Sequence, residues 1–201
     1  MFVSFEGLDG SGKTTQAELL VEWLQGEGRD VVATREPGGT PFGERVRDLL
    51  LDGEPMGPWA EAALFVAARA ELVERVIGPA LAKGSVVVCD RFLDSSLVYQ
   101  GVARGLGIER VLALNLEAIR EILPDLTFFL IVDADEARKR SAGARDRIER
   151  EGDTFLSLVD NGYRQLAGLF PQRIVAIDAT AGVHAIAEEV QEHVRQRSGA
   201  D

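Results

Sequence analysis

The stretch Gly-Leu-Asp-Gly-Ser-Gly-Lys-Thr at residues 7–14 constrains this chain more than any other, because it follows the apolar run Phe2-Val3-Ser4-Phe5 and precedes a helical pattern. One glycine, four residues, then Gly12-Lys13-Thr14 is the spacing of a phosphate-binding loop between a strand and a helix. Glycines let successive backbone N–H groups curl into an anion-binding nest, and the helix that follows adds the positive end of its dipole. Gly7, Leu8, Asp9, Gly10, Ser11, Gly12, Lys13, Thr14 and Thr15 are therefore expected to hold ATP. Lys13 would bridge the β and γ phosphates, and the Thr14 hydroxyl would ligate Mg²⁺. A glycine-rich turn capped by Ser11 is the plain alternative.

Such a loop needs a buried parallel sheet behind it, and the apolar pattern supplies one. Strands are predicted near 2–6, 30–34, 85–89, 126–132 and 173–177, each a short continuous apolar run of the kind buried on both faces. Helices are predicted near 13–26, through much of 42–82 and 94–120, then near 134–141, 153–168 and 182–197. Strands alternating with helices give an α/β fold, a five-stranded parallel sheet flanked by helices. The Pro- and Gly-rich stretches at 35–43 and 51–58 are loops too short to link domains, so residues 1–201 are expected to form one domain.

Composition narrows the partners. The formal net charge is −11, which opposes nonspecific binding to nucleic acid or an anionic membrane, so anionic ligands must be met by locally concentrated cations. No apolar stretch approaches the roughly 18–20 residues that cross a bilayer, and the expected location is cytoplasmic. Cys89, the single cysteine, ends the apolar run Val86-Val87-Val88 and reads as core. His184 and His193 lack the partners of a metal site.

Switches, pumps and kinases share the phosphate loop. The guanine-reading Asn-Lys-x-Asp segment and the ABC signature are both absent, which leaves a small kinase with a second, acceptor pocket. Asp90-Arg91-Phe92 follows the third strand, at the sheet end where ligands gather. Asp90 is placed to order Mg²⁺ or its waters, and Arg91 offers a planar fork to a phosphate; a surface ion pair is the alternative. On the helix near 58–82, Ala62, Phe65, Arg69, Leu72 and Val76 share one stripe, and an arginine on an apolar stripe needs a partner. Either a salt bridge or a ligand satisfies it.

The segments GLDGSGKTTQ, TREPGGTPFGERVR, FVAARAELV, DRFLDSSLVYQG and RDRIE occur in order and span nearly the whole chain. In these segments the sequence resembles the bacterial thymidylate kinases. The resemblance implies a fold of the P-loop NTP hydrolase type, ATP-dependent phosphorylation of dTMP to dTDP, Mg²⁺ as cofactor and a homodimer. It also implies roles for individual residues: Phe65 stacks on the thymine, Arg69 reads the base, Arg91 grips the acceptor phosphate, and Asp9 contacts the acceptor sugar or the metal. Ser95, Ser96, Tyr99 and Gln100 match the segment lining base and deoxyribose, Glu36 lies near the acceptor sugar and phosphate, and Tyr163 approaches the deoxyribose.

A run at about 138–151 concentrates Arg138, Lys139, Arg140, Arg145, Arg147 and Arg150 in an otherwise acidic chain. A solvated helix face paired with Glu149 and Glu151 is one reading. The other is a lid that closes over the donor, hinged near Gly143, whose arginine stabilises charge in the transition state. Some members of the family resembled carry that arginine inside the loop where Gly10 stands here, and others supply it from the lid. Glycine at 10 resembles the lid type, with Arg147 the first candidate, Arg145 the second and Arg140 the third. A kinase of another acceptor and a nucleotide-dependent switch are the rival functions.

Overall fold

The computed structural model describes residues 1–140 and 147–199. Strands β1 (Phe2–Gly7), β2 (Val31–Arg35), β3 (Val86–Asp90), β4 (Leu126–Ile131) and β5 (Ile174–Asp178) form one sheet in the order β2-β3-β1-β4-β5. Every pairing is parallel, and β1 lies in register with β3 through Ser4 opposite Cys89 and Phe5 opposite Asp90. The apolar runs that predicted strands buried on both faces are those of β1, β3 and β4, while the edge strands β2 and β5 are partly exposed.

Helices α1 (Lys13–Gly26), α2 (Pro41–Leu51), α3 (Pro58–Leu72), α4 (Gly78–Ala82), α5 (Leu93–Ser96), α6 (Ile108–Ala118), α7 (Ala134–Arg140), α8 (Asp153–Leu169) and α9 (Val183–Ser198) pack around the sheet. Phe2, Phe5, Val87, Phe128 and Phe129 of the sheet meet Leu20 of α1, Leu72 of α3, Leu166 of α8 and Val190 of α9 in a single core cluster. Each such large apolar side chain contributes about 1.5–3 kcal/mol relative to exposure. Val46 and Leu50 of α2 form a small second cluster with Ala68 of α3.

Two helical stretches contain wider turns than the apolar period predicts. Val73–Ile77 is π-helical, and Gly78 N–H reaches back five residues to the Val73 carbonyl just before Pro79 removes a donor. Leu97–Ala103 is also π-helical, with Arg104 N–H bonded to the Tyr99 carbonyl. This second segment carries Tyr99 and Gln100, and a π turn re-aims side chains where a regular helix would hide them.

Polar residues in buried strands need partners. Ser4 of β1 bonds Thr127 of β4 at 2.8 Å, Thr127 donates to Asp94 at 3.1 Å, and the Arg173 guanidinium closes the chain on Asp94 at 2.6 Å.

Candidate active site

The loop after β1 and the start of α1 hold the first half of the site. Gly12 has φ 96°, in the left-handed region that favours glycine, and it delivers the chain into α1 at Lys13. Gly7 has φ 142°, and a Cβ there would lie 2.8 Å from both the Leu130 carbonyl and Ser11 Oγ, so bulk is excluded. Lys13 is only 5% exposed; its Nζ donates to the Leu8 carbonyl at 2.8 Å and lies 3.5 Å from Asp9. Burial pushes the Lys13 ammonium below its ordinary pKa, as does the Arg91 charge, while Asp9 opposes the shift.

Strand β3, adjacent to β1, delivers the second half. Arg91 N–H donates to the Phe5 carbonyl at 2.9 Å, and the residue has φ 69°, a left-handed conformation costly for a side chain of this size. Its guanidinium reaches Asp9 at 2.6 Å, Ser95 Oγ at 3.1 Å and Tyr163 Oη at 3.3 Å, and stands over the Tyr99 ring at 5.5 Å. Burial opposes ionisation of Asp9, yet Arg91 and then Lys13 hold its carboxyl well below the usual carboxylate range. Asp9 is thus clamped between two cations, Arg91 and Lys13.

Thr14 Oγ1 donates to Asp90 Oδ2 at 2.5 Å across the β1–β3 seam. Among the described residues no three His, Cys, Asp or Glu side chains cluster as a metal cage. One or two hard carboxylate or hydroxyl oxygens, with substrate phosphates completing the shell, are a donor set that fits Mg²⁺.

Beneath Arg91 lies Glu6, fully buried at the end of β1. Its Oε1 accepts from Phe92 N–H at 2.8 Å and Ser95 N–H at 3.2 Å; its Oε2 accepts from Ser95 Oγ at 2.5 Å and Tyr163 Oη at 2.9 Å. Burial first, then the nearby Asp94 charge, push the Glu6 carboxyl up to about 7, against the opposing pull of Arg91. The pattern-based reading overlooked Glu6, although a carboxylate inside an apolar strand was its visible signal.

A cavity of about 720 Å³ joins both halves: Lys13, Thr14 and Asp90 line it together with Arg91, Phe65, Ser96, Tyr99 and Gln100. Glu36 lines it too, behind a cis Glu36–Pro37 peptide. Arg35, Arg47 and Ile148 also lie on this wall, as do Ala179 and Gly182 of the β5–α9 loop and Val183 at the start of α9, and the sequence reading named none of them. Gln16, on the same wall, donates from Nε2 to the Val183 carbonyl at 2.9 Å, while its Oε1 and Ser11 Oγ are buried without hydrogen-bond partners among the described residues.

Among the expected residues, Gly7, Leu8, Arg69, Tyr163 and Arg147 do not line the cavity. Gly7 and Leu8 shape the loop from behind and are not on the cavity wall. Arg69 is only 1% exposed: Nε and Nη2 bind Glu36, Nη1 binds Ser96 Oγ at 2.9 Å and Asn115 Oδ1 at 2.5 Å, and Nη2 also binds the Phe92 carbonyl at 3.0 Å. All its donors are engaged, as a buried guanidinium requires, and Arg69 braces Glu36 and Ser96 from behind the wall. Tyr163 is buried against Phe129 at 4.8 Å and spends its hydroxyl on Glu6, so it supports Ser95 and Arg91 from beneath. Arg147 does not face the cavity. Its Nη2 binds Glu61 at 2.8 Å, while its Nε and backbone N–H take the Leu50 and Leu51 carbonyls at 2.9 and 3.0 Å, acceptors left open at the end of α2. Arg140 does border the cavity, with Nη1 on the Ala179 carbonyl at 2.8 Å, and Arg145 lies outside the described residues.

The arrangement places a triphosphate cradle and an anion-gripping arginine in one chamber, next to an aromatic wall. Comparison with known proteins points the same way. The profile of the thymidylate kinase family matches residues 5–190. The thymidylate kinase of Caldanaerobacter subterraneus subsp. tengcongensis is 47% identical over 197 residues, covering 97% of this chain and 95% of that one. That of Pelotomaculum thermopropionicum is 51% identical over 185 residues, covering 89% and 85%. The crystal structure of thymidylate kinase from Ehrlichia chaffeensis superposes with a TM-score of 0.80 at 34% identity, over 97% of this chain and 98% of that one.

Proposed function

The chain belongs to the thymidylate kinase family and transfers a phosphoryl group from ATP to dTMP, giving dTDP, and we propose the following division of labour among its residues. The observation that carries it is the single cavity shared by Lys13 and Arg91. ATP lies with its β and γ phosphates in the loop, on the backbone N–H groups, Lys13 and the start of α1. Its base points toward the β5–α9 loop, with Arg140 beside it.

The dTMP phosphate is held by Arg91, with Arg47 as a second cation on the same wall. Asp9 keeps the Arg91 and Lys13 side chains pointed at the two phosphates, and its depressed pKa keeps it ionised in neutral solution. Phe65 stacks on the thymine, with Ser96 and Gln100 at the base edge and Tyr99 and Glu36 along the sugar. Arg69 and Tyr163 act through Glu36, Ser96 and Ser95.

A dTMP oxygen forms the new bond to the γ phosphorus while the bond to the ADP oxygen breaks. A phosphate monoester with a second pKa of about 6 is already largely ionised near pH 7, so no general base is demanded. Positioning and fixed positive charge carry the step. Thr14 and Asp90 would hold Mg²⁺, which when bound neutralises charge on the phosphates. The segment at about 138–151 is read as a lid of the same single domain, and water kept out by closure cannot hydrolyse ATP.

We read the protein as a cytoplasmic homodimer. Exposed Leu49, Trp59 and Leu114 lie on α2, α3 and α6, which pack side by side and offer an apolar face to a second copy. Among the described residues no helix is long and apolar enough to cross a membrane. Release of ADP measured against a panel of nucleoside monophosphates tests the acceptor. Turnover selective for dTMP is expected, and preference for another monophosphate overturns the assignment.

A further inference from the structure

Glu61 lies in the first turn of α3, one helical turn before Phe65, and is 1% exposed. A carboxylate so placed is costly unless every lone pair finds a donor. Here Oε1 accepts from Gln100 Nε2 at 3.0 Å and Arg104 Nε at 3.1 Å, while Oε2 accepts from Arg104 Nη2 at 3.0 Å and Arg147 Nη2 at 2.8 Å. Burial opposes the charge, but the bonds from Arg104, Gln100 and Arg147 hold its pKa below the ordinary value.

The donors come from separate parts of the chain. Gln100 belongs to the π-helical segment, Arg104 caps that segment, and Arg147 precedes α8 by a short 3₁₀ turn, Glu149–Glu151. Arg104 also pairs with Glu151 at 2.7 Å and covers the Phe155 ring at 4.7 Å, and that ring meets Tyr99 at 6.1 Å. Ile148, the neighbour of Arg147, lines the cavity, as do Leu51, Phe65 and Gln100. One buried carboxylate thus fixes three stretches that together bound one end of the chamber.

We propose that Glu61 is a positioning residue which, with Arg104 and Arg147, forms an ionic clasp closing the chamber around the acceptor base, and that Arg147 acts by holding Ile148 and α2 together, not as the transition-state cation. The proposal rests on the dTMP reading given above. The clasp works through geometry: Glu61 fixes Gln100 on one side of the base and, through Arg147, seats Ile148 on the other. Loosening either tie widens the acceptor end while leaving Lys13 and Arg91 where they are.

The test is direct binding of dTMP by titration calorimetry to Glu61→Gln, Arg147→Ala and the double variant, with steady-state kcat and KM alongside. Glu61→Gln is expected to weaken dTMP binding about 10-fold and to raise KM more than it lowers kcat. Arg147→Ala weakens binding similarly, and the double variant is no worse than either single one, because both break the same tie. Circular dichroism and thermal unfolding check folding; should Glu61→Gln not fold, Arg147→Met, which keeps an apolar stem at a site 11% exposed, carries the same expectation. Unchanged dTMP affinity in the folded variants, additive losses in the double one, or a loss of about 100-fold in kcat for Arg147→Ala with dTMP affinity intact overturns the clasp. If the wild-type protein neither binds nor phosphorylates dTMP, the functional reading falls and takes the clasp with it; intact dTMP turnover with unaffected variants removes the clasp alone.

Discussion

The two ends of the chamber are built by different means. At the end proposed for the donor a contiguous stretch, Asp9 to Thr15, lines the chamber, and its local geometry follows from glycine φ values and a helix start. At the acceptor end the wall is assembled from α3, the β3–α5 junction, the π-helical segment and the turn before α8. Buried carboxylates hold it: Glu6 under Arg91, Glu36 on Arg69 and Glu61 on Arg104 and Arg147. A triphosphate can be gripped by main chain, because every residue supplies an N–H. Recognising one base and one monophosphate requires particular side chains, and each buried cation then requires an anion to hold it still.

That contrast is open to experiment. Lys13→Ala should have the largest effect, lowering kcat by about 10³-fold or more with little change in dTMP affinity measured by calorimetry. Parallel loss of dTMP binding would show that the two ends are not separable. Arg91→Ala should come next, with kcat/KM for dTMP down about 10²-fold, since Asp9, Ser95 and Tyr163 lose their common partner along with the acceptor phosphate. An ATP affinity that falls equally would place Arg91 at the donor end instead.

Glu6→Gln should give the smallest effect, and one that depends on pH. The Glu6 carboxyl is raised from 4.5 to about 7 in the folded state, so the native protein binds more protons than the unfolded chain in that window. The stability this contributes is fully present below the unfolded pKa and is lost as pH rises through about 7. The Tm of wild type relative to Glu6→Gln should therefore rise as pH is lowered from about 7 to 4.5, by several degrees. A difference that stays flat across the window removes the coupling between Glu6 and its buried surroundings.

Much of the architecture was legible in the sequence, because continuous apolar runs and a glycine-rich turn are local signals. Strands β1, β3 and β4 fall where Phe2-Val3, Val86-Val87-Val88 and Phe128-Phe129 put them. The π turns were not legible: widening a turn by one residue depends on what packs around it, and the apolar period of Leu97–Ala103 reads as ordinary helix. The acceptor wall was legible in part. Phe65, Ser96 and Gln100 line the cavity as the family resemblance implied. Arg69 illustrates what was missing: its interruption of an apolar stripe announced a buried partner, but Glu36 is 33 residues away and Asn115 is 46, and nothing local pairs them. The partner of Arg147 was hidden for the same reason, since a basic run reads as free charge until the carboxylate paired with it, here Glu61, is known. Glu61 was an acid among the apolar residues that open α3, a signal of the same kind as Arg69.

The pairing of Phe5 with Asp90 across β1 and β3 sets the distance between the loop after β1 and Arg91, and so between the two nucleotides proposed to lie there. An insertion or deletion of one residue in either strand would carry one substrate past the other by about 3.3 Å, far beyond the roughly 0.5 Å to which a reacting constellation must be held. Loop lengths elsewhere are free to drift, but the count of residues in these two neighbouring strands is locked, and descent from a common ancestor is expected to leave it gapless.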